Sequence, residues 1–461
     1  MYLNKYNMSG AVAAHAAYNG SGTQGLAVTN KIQDQEGDVM SVFWNKNDTT
    51  RQLLHGAAFI DIPTSGNGGT TSFGGNQIFT INNDIDAIGD MYLHVSAAGD
   101  FYLKGSLAAI IKRIEFHVGT QIWHTLEKED IQALNMSEMP EGVFGAYHRS
   151  TYGSYKNDGA KNKDAWGIKT RLSNGASGVI KIPTISRQVG PTMSKFTNVV
   201  ENAYLVAAAP HQTVKVKVYL ENQDYVKKNV FTGSATGTSM VSAIPTLELK
   251  LFGKHIIMCN EEREQMKSMP QGLPKRIKMS QNVTHVVDTH LSEAITVDLD
   301  HFSLYASHLL ITVIGGKGAA YTDDNTTSRS VTLDEVELKL NSSSYSGTLK
   351  GSLLTAPTAD MLGLYQNTQP SHDGWTQNPT GLYRTYIFPL ASQAFSGSSV
   401  PLNRFDNIRL TMSLSTDKKR TPAAGGGLEV DTDRQATRVV VTCVGETTAL
   451  YKGGAASLAM Y

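Results

Sequence analysis

Along much of the chain, apolar residues recur at every second position. In Thr213–Leu220, Val214, Val216, Val218 and Leu220 fall on one face, and Lys215, Lys217 and Tyr219 fall on the other. That alternation predicts a half-buried antiparallel strand. The same period places Leu247, Leu249 and Leu251 against Glu248 and Lys250, and Ile408, Leu410, Met412 and Leu414 against Arg409, Thr411 and Ser413. It recurs in Ile114, Phe116 and Val118 around Glu115 and His117, and in Val336, Leu338 and Leu340 around Glu337 and Lys339. Long stretches rich in Gly, Asn, Ser, Thr and Pro separate these runs, at Pro63–Asn76, Tyr152–Trp166, Thr232–Thr238, Gly315–Ser330, Gln366–Thr380 and Thr421–Asp433. Such residues supply turn chemistry rather than packing. Many strands, long loops and few helices predict an all-β architecture, a sandwich or a closed barrel.

The predicted helices are short. Asn260 can cap Glu261–Met266, whose acidic first turn suits the helix dipole, and Pro270 and Gly272 end it. With strand-like runs on both sides, 260–274 reads as the connection between two domains. A single core stops growing at roughly 250–300 residues, so a chain of 461 residues is expected to hold two. A weak internal repeat points the same way. Gly89–Val95 rhymes with Ser307–Val313. Arg113–Val118, with a helix expected near Leu126–Leu134, rhymes with Asp334–Leu340, with a short helix expected near Leu349–Leu354. The boundaries drawn from this are 1–50 for a Gly-rich aperiodic segment, 51–259 and 275–461 for the two domains, and 260–274 for the linker helix.

Composition narrows the function. The 41 basic and 41 acidic side chains cancel, which argues against coating nucleic acid, since phosphate neutralisation needs a basic excess. Two cysteines make neither a disulfide framework nor a four-thiolate zinc site. The longest uncharged stretch, Tyr6–Asn30, is broken by polar residues, so no membrane span is expected. The Ala-rich run Ala11–Ala17 after Lys5 is interrupted by His15, so no secretory signal is expected and the cysteines are read as reduced thiols.

Catalytic and metal chemistry finds little footing. None of the 13 histidines sits in an H-E-x-x-H pattern, and His285, His290, His301 and His308 are spread across strand-like runs. There is no G-x-S-x-G elbow and no phosphate-binding loop; Gly425–Gly427 lacks the following Lys and hydroxyl residue. Asp298 and Asp300 have the spacing of paired glycosidase carboxylates, but two residues apart on a strand is also simply its solvated face. Cys443 is in phase with Val439 and Val441 and reads as a small buried apolar side chain. Cys259 stands at the start of the linker helix with no resolving cysteine nearby. N-x-S/T sequons at Asn7, Asn19, Asn47, Asn135, Asn282, Asn325 and Asn341 would carry glycans only with suitable exposure. The residues therefore point to a structural or binding protein, with no cofactor and no metal. A β-sandwich carbohydrate-binding module or glycoside hydrolase stands as the alternative.

One segment carries a resemblance. Tyr386–Leu410 holds Phe388, Pro389 and Leu390, then a Ser/Gly-rich turn, then Arg404, Asp406 and Asn407 before another strand. It resembles the C-terminal signature of the major capsid proteins of nucleocytoplasmic large DNA viruses. There an aromatic strand ends in an F-P-L type run and is followed by N-x-S-R-I-D-N. Phe405 stands here for the usual Ile, and Asn403 for the usual Ser. Ile114–Ile122 is similar to that family's V-E-L-x-I-G-G-Q-x-I stretch, Ile182–Leu220 to its V-P-L…V-K-L region, and Tyr451–Tyr461 to its small-residue tail. The likeness runs from about Arg51 onward.

The resemblance implies two consecutive eight-stranded antiparallel jelly-roll barrels, a double jelly roll, with short helices and long loops. It implies a homotrimer of pseudo-hexagonal outline, a capsomer, tiling the icosahedral outer shell of a large double-stranded DNA virus. The partners would be neighbouring capsomers, a penton protein and minor capsid proteins. No direct nucleic-acid contact and no membrane insertion are expected, at most indirect contact with an internal membrane. The location would be the virion, with assembly in the host-cell cytoplasm. Loops Tyr152–Trp166 and Gln366–Thr380 are candidates for outward towers, with Trp166 and Trp375 partly buried, and 1–50 is placed on the inner face. Arg404 and Asp406 are expected to pair across a turn and fix the next strand, so that Asp406→Ala would lower trimer yield.

Overall fold

The computed structural model describes residues 56–65, 70–97, 101–104, 107–139, 169–172, 177–183, 203–222, 230–231, 246–257, 263–264, 273–287, 294–315, 331–365, 383–392, 399–416, 421–422, 428–429 and 436–459. In the first half these form β1 (Gly56–Ile62), β2 (Asn76–Ile81), β3 (Ala87–Ala97), β4 (Ile111–Val118), β5 (Gln121–Glu127), helix α1 (Lys128–Glu138), β6 (Ser177–Ile182), β7 (Val214–Leu220) and β8 (Leu247–Ile257). In the second they form β9 (Leu273–Val286), β10 (Ile295–Asp298), β11 (Tyr305–Gly315), β12 (Val331–Leu340), α2 (Ala356–Leu362), β13 (Tyr383–Pro389), β14 (Ile408–Thr416), β15 (Ala436–Lys452) and β16 (Ala455–Ala459). Two short strands, Ser343–Ser344 and Leu349–Lys350, pair with β12.

The alternating runs become strands with the expected faces. Val214, Val216, Val218 and Leu220 are buried while the residues between them are half-buried. Leu247, Leu249 and Leu251 are buried likewise, as are Ile408, Leu410, Met412 and Leu414. On β4 the outcome differs. Glu115 and His117 were expected on a solvated face, yet both are buried. They bond to each other at 2.9 Å, and the Tyr219 hydroxyl donates to Glu115 at 3.1 Å.

Pairing is antiparallel throughout. The main sheets run β1-β8-β3-β6 and β2-β7-β4-β5 in the first half, and β9-β15-β11-β13 and β10-β14-β12 plus the two short strands in the second. With the strands of each half counted in chain order, and the short pair as the fifth of the second, both halves read 1-8-3-6 and 2-7-4-5. That is the jelly-roll order, written twice. The repeat seen in sequence is thus a repeat of place. Gly89–Val95 and Ser307–Val313 lie in the third strands, and Arg113–Val118 and Asp334–Leu340 lie in the fourth. Among the described residues no strand of one half pairs with a strand of the other.

The helices sit slightly differently from expectation. The first is Lys128–Glu138, overlapping the predicted Leu126–Leu134. The second is Ala356–Leu362, displaced C-terminally from Leu349–Leu354, with Pro357 in its first turn and Gly363 (φ 68°) ending it. Within 260–274, Arg263 and Glu264 are helical, and Leu273 and Pro274 already belong to β9. Cys259, Trp166 and Trp375 lie outside the described residues.

The connections sort to two ends. Phe101–Lys104, Lys169–Leu172 and Val230–Phe231 come from three different connections and pair as a small sheet of their own, so those connections meet at one end of the first sandwich. The β2–β3, β4–β5 and β6–β7 connections meet at the opposite end, where the Asn83 amide donates to the Pro210 carbonyl at 2.9 Å and Gly119 N–H to the Thr213 carbonyl at 2.9 Å.

One close approach in the second half needs glycine. β11 bulges between Ala306 and His308 where it passes Gly445 of β15. A Cβ on Gly445 would lie 2.4 Å from the Tyr305 carbonyl oxygen, and backbone cannot yield as a flexible side chain can. Gly445→Ala is expected to destabilise the chain by about 1–3 kcal/mol, read as a lower urea midpoint at unchanged slope; an unchanged midpoint would show that the bulge adjusts freely.

Candidate functional site

The feature with most structural consequence is the junction between the halves, and α1 is its centre. Its sequence, Lys-Glu-Asp-Ile-Gln-Ala-Leu-Asn-Met-Ser-Glu, carries no apolar stripe, yet every residue from Lys128 to Glu138 except Gln132 is buried. Its start is fixed locally. Glu127 accepts from the Asp130 backbone, and the Asp130 carboxylate accepts from Glu127 N–H at 3.0 Å, a reciprocal capping box. Ile131, Ala133 and Leu134 then enter the main core, and the Asn135 amide donates to the Lys181 carbonyl of β6 at 2.9 Å.

The remaining sides of α1 face the second half. Glu129 pairs with Arg438, and Glu138 with Lys278. Asp130 accepts from the Thr442 hydroxyl at 2.5 Å and from the Asn282 amide. Tyr365 N–H donates to the Ser137 carbonyl at 2.8 Å. Beside the helix, His124 Nε2 accepts from Ser280 N–H at 3.2 Å and contacts the Ser280 hydroxyl at 2.7 Å. Lys128 pairs with Glu221 of its own half at 2.6 Å. A charged helix is thus buried with its charges matched by Glu221 of the first half and by the outer face of the β9-β15-β11-β13 sheet.

A second contact lies at the chain's end. Tyr204 stacks edge-on against Trp123, with ring centres 5.5 Å apart, and tilts against Tyr451 at 5.7 Å. Leu205 N–H points at the Tyr451 hydroxyl at 3.4 Å, and the Gln212 side chain accepts from Ala456 N–H at 2.7 Å. His211 N–H donates to the Gly454 carbonyl at 3.0 Å, and Gly454 (φ 76°) passes so close that a Cβ there would lie 2.3 Å from the imidazole.

Burial sets the protonation of these groups. The Asp130 carboxyl is pushed up to about 7 by burial, against the pull of its Thr442, Glu127 and Asn282 donors. His124 and His308 are pushed down to about 3 by burial and by the nearby Lys278 cation, so both are neutral. Burial also raises the Cys443 thiol, an inert core group 0 % exposed.

The six residues of the sequence motif lie along β13 and the connection to β14. Phe388 is fully buried, Pro389 stands opposite His308, and Leu390 N–H donates to the Ser307 carbonyl at 3.0 Å. Arg404 and Asp406 are exposed, and no ion pair joins them among the described residues. The turn is instead fixed through its backbone. Asn341 Oδ1 accepts from Asp406 N–H at 2.9 Å and from Asn407 N–H at 3.2 Å, and Asn341 N–H returns a bond to the Asn407 carbonyl at 2.8 Å. Asp300 accepts from Ile408 N–H at 2.6 Å. Asn341, at φ 49°, occupies the left-handed region that asparagine tolerates. Asp298 is exposed beside Arg409 at 3.2 Å, so the two aspartates of the glycosidase-like spacing are engaged separately.

The same network decides several other candidates. The Asn135, Asn282 and Asn341 side chains are all committed to internal bonds, which sets these three sequons apart from open glycan acceptors. His308 is buried against the Ser307 hydroxyl at 2.8 Å, and His301 is exposed. Among the described residues no group of three His, Cys, Asp or Glu is placed to hold a metal, and no helix is long and apolar enough to cross a membrane. Sequence reasoning read Asn341 as a sequon and Asp300 as half of a carboxylate pair, and missed the polar side chains of α1; the partners of all these lie 65 to more than 300 positions away, and the local signal for α1 was the Glu127–Asp130 cap.

No protein-family model matches the chain, and no curated protein matches it. Solved structures do. The fold is similar to that of VP54 of PBCV-1, seen in a crystal structure fitted into a reconstruction of the virophage Sputnik. The TM-score is 0.64 at 15 % identity, over 89 % of this chain and 98 % of that one. It is similar to the PBCV-1 virus capsid (TM-score 0.62, 16 % identity, 89 % and 98 % covered) and to the Faustovirus major capsid protein (0.55, 9 %, 96 % and 98 %). The chain has the double jelly-roll fold of these proteins.

Two outcomes are expected of this region. Asn341→Ala should cost about 1–3 kcal/mol, because two backbone donors lose their partner, whereas Asp406→Ala should stay within about 0.5 kcal/mol; urea midpoints decide, and the reverse ranking would restore the side-chain pair. The second concerns acid. A histidine held neutral in the fold, with its folded value depressed, contributes stability above about 6.5 that is lost as pH falls toward 3. Asp130, raised, acts oppositely, contributing most near pH 4 and least above 7. His124→Gln keeps an acceptor for Ser280 and removes one titration. Between pH 6.5 and 4 its stability should therefore fall less steeply than the parent's, by about 1.4 kcal/mol per pH unit, and parallel curves would refute a neutral buried His124.

Proposed function

We propose that this protein is a major capsid protein, a structural subunit rather than an enzyme. In this reading three copies form a pseudo-hexagonal capsomer that tiles the icosahedral outer shell of a large double-stranded DNA virus. Residues 51–259 and 275–461 are its two wedges, 260–274 joins them, and 1–50 lies on the inner side. The observation that carries the reading is the duplicated jelly roll, shared in fold with capsid proteins over 89 % of the chain. Two like wedges per chain and a three-fold axis make six like wedges, and six-sided blocks tile a flat facet.

The physical design fits a passive brick. Each half packs its two sheets face to face within one continuous core, and three connections of the first half meet at one end of its sandwich, a place where loops can vary. The motif Phe388, Pro389, Leu390, Arg404, Asp406 and Asn407 is a structural element in this reading, leading from β13 into β14 of the second half. Neighbouring capsomers, a penton protein and minor capsid proteins are the proposed partners, in the virion, after assembly in the host cytoplasm. The carbohydrate-binding and hydrolase alternatives are less favoured, since the solved structures of similar fold are capsid proteins.

Light scattering on the purified chain tests the reading. The expected result is a particle of three times 49.9 kDa with a six-sided outline in negative-stain micrographs. A monomer at all concentrations, or a melting temperature raised by simple sugars, would overturn it.

A further inference from the structure

The junction inside the chain is a template for a contact the single chain cannot complete. α1 follows the fifth strand of its half, leans on its own sixth strand, and seats on the outer face of the other half's 1-8-3-6 sheet. α2 holds the same place in the second half. It follows the Leu349–Lys350 strand, and Ile387 N–H of its own sixth strand donates to the Leu354 carbonyl at 2.8 Å. But α2 presents exposed side chains on its far side. Thr358, Ala359 and Leu362 face inward, while Asp360, Met361 (48 %) and the preceding Leu353 (49 %) are exposed.

The matching seat is also open. On the second half, the middle of the outer face of the 1-8-3-6 sheet is covered: Lys278, Ser280, Thr442, His308 and Thr312 are all buried, and exposure returns only at Thr284 and Val286, toward the end of β9. On the first half, the equivalent face of β1-β8-β3-β6 carries Phe59, 66 % exposed, beside Tyr92, with ring centres 5.7 Å apart. Phe252 and His94 are half-buried and Lys250 is exposed. A large aromatic left in water on a sheet whose twin is buried marks an incomplete contact. Charge agrees as well. Inside the chain, helix acids meet Arg438 and Lys278; across the open pair, the exposed Asp360 would face Lys250.

We propose that the outer face of the β1-β8-β3-β6 sheet, centred on Phe59, Tyr92 and Phe252, is the seat for α2 and Leu353 of a second copy. This rests on the capsomer reading and names the surface that closes it. The contact is heterologous, helix side to sheet side, so each copy offers one of each and the chain of contacts ends only by closing a ring.

Because Phe59 and Met361 are exposed in the single chain, Phe59→Glu and Met361→Glu should leave the circular-dichroism spectrum and melting cooperativity intact. Each should reduce the scattering mass from three chains to one. Direction is read by cross-linking in a Cys259→Ser background. Differently tagged Phe59→Cys and Met361→Cys chains, co-expressed and treated with a bismaleimide, should join to each other, and neither should join to itself when expressed alone. Trimers that persist in both Glu variants, or self-joining of either Cys variant, would overturn this contact while leaving the capsomer reading standing. A parent chain that is monomeric throughout would overturn both.

Discussion

The burial of α1 constrains everything around it. Four ionised or strongly polar side chains, Lys128, Glu129, Asp130 and Glu138, leave water together, and each has a partner in place. Such pairs add little net stability compared with an apolar packing of the same shape, but removing one partner costs roughly 3–5 kcal/mol because the other is stranded. The junction is therefore selective rather than merely adhesive. Only one placement of the second sheet brings Arg438, Thr442, Asn282 and Lys278 opposite their partners. Around this polar seam a single hydrophobic cluster runs without interruption from Ile62 to Ala456, through both sandwiches. The halves repeat each other in topology and are packed as one body.

The repeat is exact in strand order and unequal in surroundings, and the inequality is where function enters. The sheet centred on β15 and β11 is buried on both faces, so β15 reads Val-Val-Val-Thr-Cys-Val with no exposed position among them. Its counterpart β8 reads Leu-Glu-Leu-Lys-Leu and keeps one face outward. Doubly buried strands lose their alternation, and singly buried strands keep it. The difference between two topologically equal strands thus records which sheet already has a neighbour within the chain.

Strands were legible wherever one face meets solvent, as in Val214–Leu220 or Ile408–Leu414, because the period of two survives. β4 misled in part: Glu115 and His117 alternate like surface residues but are buried by bonding to each other. α1 was legible in position but not in role, since a helix buried at every position but Gln132 shows no stripe, and its polar residues look like an exposed surface until their partners are known. The turn before β14 shows the same limit. Arg404 and Asp406 stand two residues apart and invite pairing, whereas the group that holds the turn is Asn341, 65 positions earlier. Local chemistry is readable from one chain; satisfaction at a distance is not, and this fold places its decisive polar groups at a distance.

Amide hydrogen exchange across α1 in the dilute chain tests the central claim most directly. If the helix is locked between the halves, the amides from Ile131 to Glu138 will exchange as slowly as those of Val439–Val444, and both will open in one cooperative event. Fast exchange in α1 beside slow exchange in β15 would mean that the seam opens freely, that the halves are separate bodies on a tether, and that no fixed geometry passes from one to the other.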